Sequence, residues 1–436
     1  MNKHIFLVCV LMVLSSLSVS FAENGFDIPS SISSPANLLR SDNRFINRHD
    51  KSIRSYEKIQ EHLSKENASP YGGGFIDEDG FLNIAMVGNV ESNANILAHQ
   101  KVLLNLTNNP AIKFVEAEYT LGELEDIVDI FDAQMFYDLE QQGIKVAYVE
   151  IIQKENSVYI YIANLKDLSE DQITIVRNLV DNHPAVKIAK GGEVIGRNAT
   201  SPNTMHDPLI GGVRGRWKGI SESTVSFSAL TTNGRPAAIT SGHGSPPENE
   251  IYYQLFDEQP LGPVIENPRG SIWVTRYSDT ALVQLNSFNT SPSHPNYGNR
   301  RRVTGEILIQ GSTVRRPVNG TRNVNSQPEG ASISYFSMTT NREVAGVIRA
   351  KGVTTQISGF ATLRDQVRIE QYKDALNGDS GAPVLNRWSA GGWFIYGVYS
   401  GSDRINPRIG FYSPYCGITR DLSKFLRPVW AGETYQ

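Results

Sequence analysis

The sequence predicts two folded parts in series, an α+β module followed by an all-β domain. Three observations carry this expectation. Over residues 71–192, helix-capping signatures and helical spacing alternate with short β-rich runs. From Leu209 onward helical periodicity vanishes, and short alternating or apolar stretches are divided by Gly, Pro and Asn, as in barrels or sandwiches. Between the two, residues 197–208 are polar and carry two prolines, which suits a linker and cut site.

In chain order, Met1-Asn2-Lys3-His4 precedes an apolar run over 5–19, with small residues Ser20 and Ala22 at its end. This is the pattern of a secretory signal peptide over 1–22 and predicts secretion, with the periplasm as the other exported location. No later apolar run is long enough to cross a bilayer, so no membrane anchor is expected. Residues 23–70 are rich in Ser, Asn, Lys and Glu and read as a mobile leader with one helix around 55–63. The α+β module is assigned to 71–200. Asp79-Gly80 between apolar runs predicts a hairpin. Thr120-Leu121-Gly122-Glu123 is a capping box, followed by Leu121, Leu124, Ile127, Val128 and Phe131 at helical spacing, and Gly143 is expected to close that helix. Residues 145–152 and 157–163 predict a second hairpin around Lys154-Glu155-Asn156. Ser169-Glu170-Asp171-Gln172 opens a further helix. In the all-β part, 201–436, only 419–426 reads as helical.

Composition excludes several functions. The net charge of −4 over 436 residues gives no basic footprint, so nucleic acid is not an expected partner. Cys9 falls in the signal peptide and leaves Cys416 alone, so no internal disulfide is expected. No His-x-x-x-His or cysteine cluster occurs, so neither a metal nor a cofactor is implied.

Chemistry concentrates in Asn377-Gly378-Asp379-Ser380-Gly381-Ala382-Pro383. Gly378 permits a tight turn in which its own N–H and that of Ser380 converge as an oxyanion hole. Ser380 is then a candidate nucleophile in need of a base. Upstream, His243 lies in Thr240-Ser241-Gly242-His243-Gly244 after an apolar run. Asp279 leads into Thr280-Ala281-Leu282-Val283. The order is histidine, aspartate, serine. Taken singly, the three motifs read as a turn, a surface histidine and a strand-end acid. An α/β-hydrolase requires its histidine after the serine, and none follows His294.

With these motifs the chain resembles the chymotrypsin-like serine proteases, nearest to the bacterial α-lytic protease and streptogrisin branch. The resemblance covers residues 209–430. Leu209-Ile210-Gly211-Gly212 resembles the start of a mature enzyme. Residues 224–228 resemble an early strand of the first barrel, and 345–354 a strand-turn-strand before the serine loop. Residues 396–402 resemble the strand that pairs with substrate. The α+β module resembles the propeptides of the same branch, which assist folding and inhibit. The resemblance implies an all-β two-barrel, trypsin-like domain, with His243 as base, Asp279 orienting it and Ser380 attacking. It departs at the disulfide positions: Thr224 and Gly244, Arg315 and Ala345, and Asp374 opposite Cys416. Each absent bridge forgoes about 2–4 kcal/mol. For a buried Asp379 the resemblance suggests Arg316 as partner, with a solvated arginine as the alternative. Asp374 stands where trypsin-like relatives carry the acid of the specificity pocket, with Ser400, Gly401 and Ser402 leaving that pocket open. The alternative is an Asp374 that points to solvent.

The expectation is therefore a secreted serine endopeptidase, made as a pre-pro-enzyme, whose partners are protein or peptide substrates and its own propeptide. The alternatives are an inactive binding protein on the same fold, and an esterase using the same triad.

Overall fold

The computed structural model describes residues 43–63, 70–195, 206–254, 260–268, 275–286, 302–310, 314–339, 342–357, 360–387 and 392–435. The expected signal peptide, most of the leader and most of the linker lie outside them.

The helix Asn43–Leu63 is longer than the expected 55–63 segment and buries Ile53, Tyr56 and Ile59. The Asp79-Gly80 hairpin is present. Tyr71–Ile76 pairs antiparallel with Leu82–Val87, Gly80 adopts φ 83°, and the Asp77 carboxylate accepts the Phe81 N–H at 2.9 Å. Lys113–Ala117 adds a parallel third strand. The crossover to it is the helix Ala94–Thr107, which no sequence signal marked. Its apolar residues do not keep to one face: Ile96 and Leu103 are buried, while Leu97, Val102 and Leu106 are exposed.

Both capping boxes form, at Thr120 and Ser169. The first helix stops earlier than its spacing suggests, and 121–142 is two helices, Leu121–Asp129 and Ala133–Gln141. Asp132 divides them by capping the second, accepting the Met135 N–H at 2.8 Å; Gly143 follows with φ 77°. Val146–Ile152 and Ser157–Ile162 form the second hairpin, with Asn156 at φ 48° in its turn. Val186–Lys190 then pairs parallel with Ser157–Ile162.

The remainder is all-β and contains two closed six-stranded rings. The first runs Pro236–Ser241, Thr280–Gln284, Pro260–Glu266, Ile251–Gln254, Val213–Trp217 and Ser221–Thr231, and returns to Pro236–Ser241. The second runs Ser332–Ser337, Arg342–Ile357, Ala361–Gln371, Ile409–Pro414, Trp393–Asp403 and Pro383–Arg387, and returns to Ser332–Ser337. This is the two-barrel, trypsin-like architecture. The core of the first ring is aliphatic, with Val225, Ile239, Leu261, Val264, Ala281 and Leu282 all buried.

Two local expectations are corrected. Residues 345–354 belong to one 16-residue strand, Arg342–Ile357, and not to a strand-turn-strand. Register shifts near 349–354 absorb the extra residues within the ladder. The C-terminal helix is Tyr415–Asp421, not 419–426. It ends there because the buried Glu266 carboxylate takes the N–H groups of Ser423 and Lys424, both at 2.8 Å. Phe425–Pro428 then pairs with Ser221–Thr231.

The module and the barrels share a sheet. Val146–Ile152 pairs antiparallel with the outer half of Arg342–Ile357, through Lys351↔Ile151, Thr354↔Val149 and Thr355↔Tyr148. Side chains tie the N-terminal parts to the barrels as well. From the module, Glu150 meets Arg368 at 2.5 Å. From the preceding helix Asn43–Leu63, Glu57 meets Arg322 at 2.8 Å, and the Lys351 ammonium donates to the Tyr56 hydroxyl at 2.7 Å. Residues 40–436 accordingly form one compact unit.

Candidate active site

His243 follows the end of the first-ring strand Pro236–Ser241, and Asp279 precedes Thr280–Gln284, its ladder neighbour through Ser241↔Thr280. Adjacent strand ends therefore bring the two residues together. The His243 Nδ1 lies 2.5 Å from Asp279 Oδ2, and the His243 backbone N–H donates to Asp279 Oδ1 at 2.9 Å. The Asp279 side chain is fully buried, and that of His243 is 10% exposed. A carboxylate bonded at Nδ1 fixes the imidazole so that the basic lone pair sits on Nε2.

Supporting groups hold both residues. The Asp279 N–H donates to Ser413 Oγ at 2.8 Å. Ser413 Oγ in turn donates to Gln366 Oε1 at 2.8 Å and lies 3.0 Å from Ser400 Oγ. The Asp421 carboxylate accepts the N–H groups of Tyr277 and Ser278. Asn267 donates to the carbonyls of Gly242 and Pro246, both at 3.0 Å, and so braces the histidine loop. The Phe360 ring meets the imidazole edge-on, with centroids 6.2 Å apart. Sequence reading missed Ser413, Gln366, Asp421, Asn267 and Phe360, since none lies in a recognisable motif.

Ser380 sits on a tight loop clamped between the rings. Gly378 has φ 99° and Gly381 φ 88°, both in the region that favours glycine. A Cβ on Gly381 would lie 2.2 Å from the Thr224 carbonyl oxygen and 3.1 Å from the Ser241 nitrogen, so the loop presses on the strand that leads to His243. Thr224 binds it twice: its N–H donates to the Ser380 carbonyl at 2.8 Å and its hydroxyl to the Gly378 carbonyl at 2.7 Å. The Gly381 N–H donates to the Tyr399 carbonyl at 2.7 Å. The Ser380 hydroxyl donates to the Ser400 carbonyl at 3.1 Å. Ser380, Ser400 and Ser402 are buried, and Gly401 pairs with Phe411.

Three expectations from the sequence are corrected. Arg316 does not reach Asp379. It is exposed on Val314–Thr321 and donates to the Arg315 carbonyl, whereas Asp379 accepts the Leu376 N–H at 2.9 Å and the Tyr335 hydroxyl at 3.4 Å. Asp374 is not at the base of a desolvated slot. Its side chain is 61% exposed and meets the Arg408 guanidinium at 3.2 Å, because the loop turns it outward. At the first vanished disulfide, Ser223 rather than Thr224 faces Gly244, where an added Cβ would lie 3.0 Å from the Ser223 Cβ.

Among the described residues, no group of three or more His, Cys, Asp or Glu is placed to hold a metal ion, and no helix is long and apolar enough to cross a membrane. A cleft of about 350 Å³ lies where the helix Leu121–Asp129 meets Arg364, Asp365 and Arg420, and none of the three candidate catalytic residues lines it.

No protein-family model and no curated protein sequence matches the chain. Solved structures do. A Nocardiopsis protease is similar at 21% identity and TM-score 0.37, over 50% of this chain and 98% of that one. The active form of the Rv3671c protease from M. tuberculosis is similar at 18% identity and TM-score 0.27, over 50% and 82%. A serine endoprotease from Yersinia pestis is similar at 12% identity and TM-score 0.26, over 48% and 60%.

Proposed function

We propose that the chain is an exported serine endopeptidase, made with a signal peptide and an α+β segment that assists folding and inhibits, and that His243, Asp279 and Ser380 are its catalytic residues. The observation that carries this reading is the His243–Asp279 pair, set beside a serine loop that is tied through Thr224 and Ser400 to both rings. For attack, the Ser380 hydroxyl leaves the Ser400 carbonyl and bonds to His243 Nε2. Nε2 accepts its proton as Oγ bonds to the peptide carbonyl carbon, and Asp279 stabilises the resulting imidazolium. The carbonyl π pair moves onto oxygen, where the N–H groups of Gly378 and Ser380 serve as donors in this reading. The neighbouring Asp379 and Gly381 N–H groups serve the loop itself, bonding to Leu376 and Tyr399. His243 then returns the proton to the leaving amine, and water hydrolyses the acyl-enzyme by the reverse roles.

Purified Ser380→Ala protein should lack peptidase activity and, where maturation is autocatalytic, remain uncut. Full peptide hydrolysis by Ser380→Ala would end the assignment. A serine-directed phosphonate that labels the parent but not Ser380→Ala separates an enzyme from an inactive binding protein. Comparison of peptide with ester turnover separates a peptidase from an esterase.

A further inference from the structure

Residues Gly192–Ile195 close the described part of the α+β module, and they add a short strand to the second ring. Ile195 stands opposite Ser402 and Val194 opposite Asp403, antiparallel. The Arg404 N–H donates to the Glu193 carbonyl at 2.9 Å, and the Arg404 guanidinium lies 3.4 Å from the Glu193 carboxylate. Val194 is fully buried in a cluster with Val353, Ile357, Phe360 and Phe411, and Phe360 is the ring that meets His243. The same strand supplies Ser400, whose carbonyl holds the Ser380 hydroxyl. The segment thus lies along the backbone that leads directly to the candidate nucleophile.

Asp403 divides its carboxylate between two tasks. Oδ1 accepts the N–H groups of Ile405 at 2.7 Å and Asn406 at 2.9 Å and so shapes its own loop. Oδ2 accepts the Gly192 N–H at 2.8 Å. A Cβ on Gly192 would fall 2.1 Å from Oδ1 and 2.8 Å from Cγ. Asp403 is buried, as is Gly192, so neither group can swing aside into water.

We propose that Asp403 is a specificity-determining residue of the peptide-binding groove. The groove takes an extended peptide antiparallel to Ser400–Asp403 and seats an aliphatic side chain among Val353, Ile357, Phe360 and Phe411. It requires glycine two residues before that side chain, because Asp403 receives the glycine N–H where a Cβ has no room. This rests on the peptidase reading above. Backbone pairing supplies affinity and the side-chain pockets supply selection, as in other strand-addition sites.

The test uses the full chain after self-processing and a synthetic peptide of sequence 191–201. Substitution of alanine or N-methylglycine for the residue equivalent to Gly192 should lower kcat/KM at least tenfold, with mass spectrometry confirming that all peptides are cut at the same bond. The alanine change adds the clash and the N-methyl change removes the donor, so neither depends on refolding a variant protein. Asp403→Ala, which removes the Oδ1 and Cγ that a Cβ would meet, should bring the glycine-to-alanine ratio to within about threefold of unity. Equal turnover of all three peptides, with casein still hydrolysed, overturns the Asp403 proposal and leaves the peptidase reading intact. If the chain hydrolyses neither casein nor any peptide, the peptidase reading falls. The Asp403–Gly192 contact is then judged in the Ser380→Ala chain, where Gly192→Ala should speed cutting by added trypsin after Arg197 at least tenfold. Unchanged trypsin cutting overturns that contact.

Discussion

Replacement of Arg368 by methionine tests what joins the α+β module to the barrels. Glu150 is fully buried and the Arg368 side chain is only 12% exposed, and the two come from the strands that flank Arg342–Ile357. Methionine keeps most of the apolar stem and deletes the charge. Glu150 is left where burial already pushes its carboxyl up, against the opposing pull of Arg368. Removing one partner of a buried pair costs about 3–5 kcal/mol. Protonation of Glu150 relieves part of this, so about 3 kcal/mol is expected at neutral pH. With a urea m-value of about 3 kcal/mol/M, the midpoint falls by about 1 M. In the variant the folded-state pKa of Glu150 lies above its unfolded value, so the native state binds more protons. Its stability therefore falls as pH rises through that interval, and the deficit against the parent is smaller at about pH 5.5 than at about pH 7.5. Urea unfolding followed by tryptophan fluorescence, on intact chain in a Ser380→Ala background, reads both effects. The double variant Glu150→Leu/Arg368→Met should recover most of the loss, because well-packed apolar replacements of buried pairs are often near neutral. A midpoint shift below about 0.2 M for Arg368→Met, or a double variant no better than the single, refutes the reasoning.

Asp279→Asn should lower kcat by about 10³–10⁴ with little change in KM, since the Nδ1 partner that sets the tautomer is lost; steady-state kinetics on one peptide decide this. Gly381→Ala should give protein that is inactive or unfolded, because its Cβ meets the Thr224 carbonyl at 2.2 Å and φ is 88°; circular dichroism beside an activity assay checks it. Burial raises Glu329, with the Gln153 and Lys154 N–H groups and Lys351 pulling the other way. Its native state holds a proton that the unfolded chain releases, so stability of the Ser380→Ala chain should decline as pH rises from the ordinary carboxylate range toward neutrality, by at most about 1.4 kcal/mol per pH unit from this group. Glu329→Gln should flatten that slope in urea midpoints measured across the interval.

The features legible in the sequence are those settled within a few residues. The capping boxes at Thr120 and Ser169, the Asp79-Gly80 turn and the Asn156 turn each carry their cause locally. The His243, Asp279 and Ser380 motifs were legible for a related reason, because each lies at a strand end or a tight glycine turn. The departures arise where distant groups decide. Glu266 ends the last helix from another barrel, and Tyr335 takes the place given to Arg316. The exposure of Asp374 follows from a loop geometry that its spacing to Ser380 does not encode. The split at Asp132 did have a signal, an N-cap residue inside an apolar repeat, which the continuing hydrophobic spacing masked. The strand Val194–Ile195 had none, since two residues show no periodicity and their partners lie some 200 positions away.

The strand Arg342–Ile357 has a further consequence once processing is considered. Its outer half is paired on one side by Val146–Ile152 of the α+β module. On the proposed maturation that partner departs and leaves a row of unpaired backbone N–H and C=O groups, the kind of template on which chains self-associate. Two features already described blunt it. The register shifts around 349–354 break the flat repeat that another chain would copy. Lys351, enclosed beside Tyr56 of the helix Asn43–Leu63 while the N-terminal segment is present, becomes a charge on the bare rim. The lysine that ties the N-terminal helix to the barrels would then guard the matured chain against aggregation.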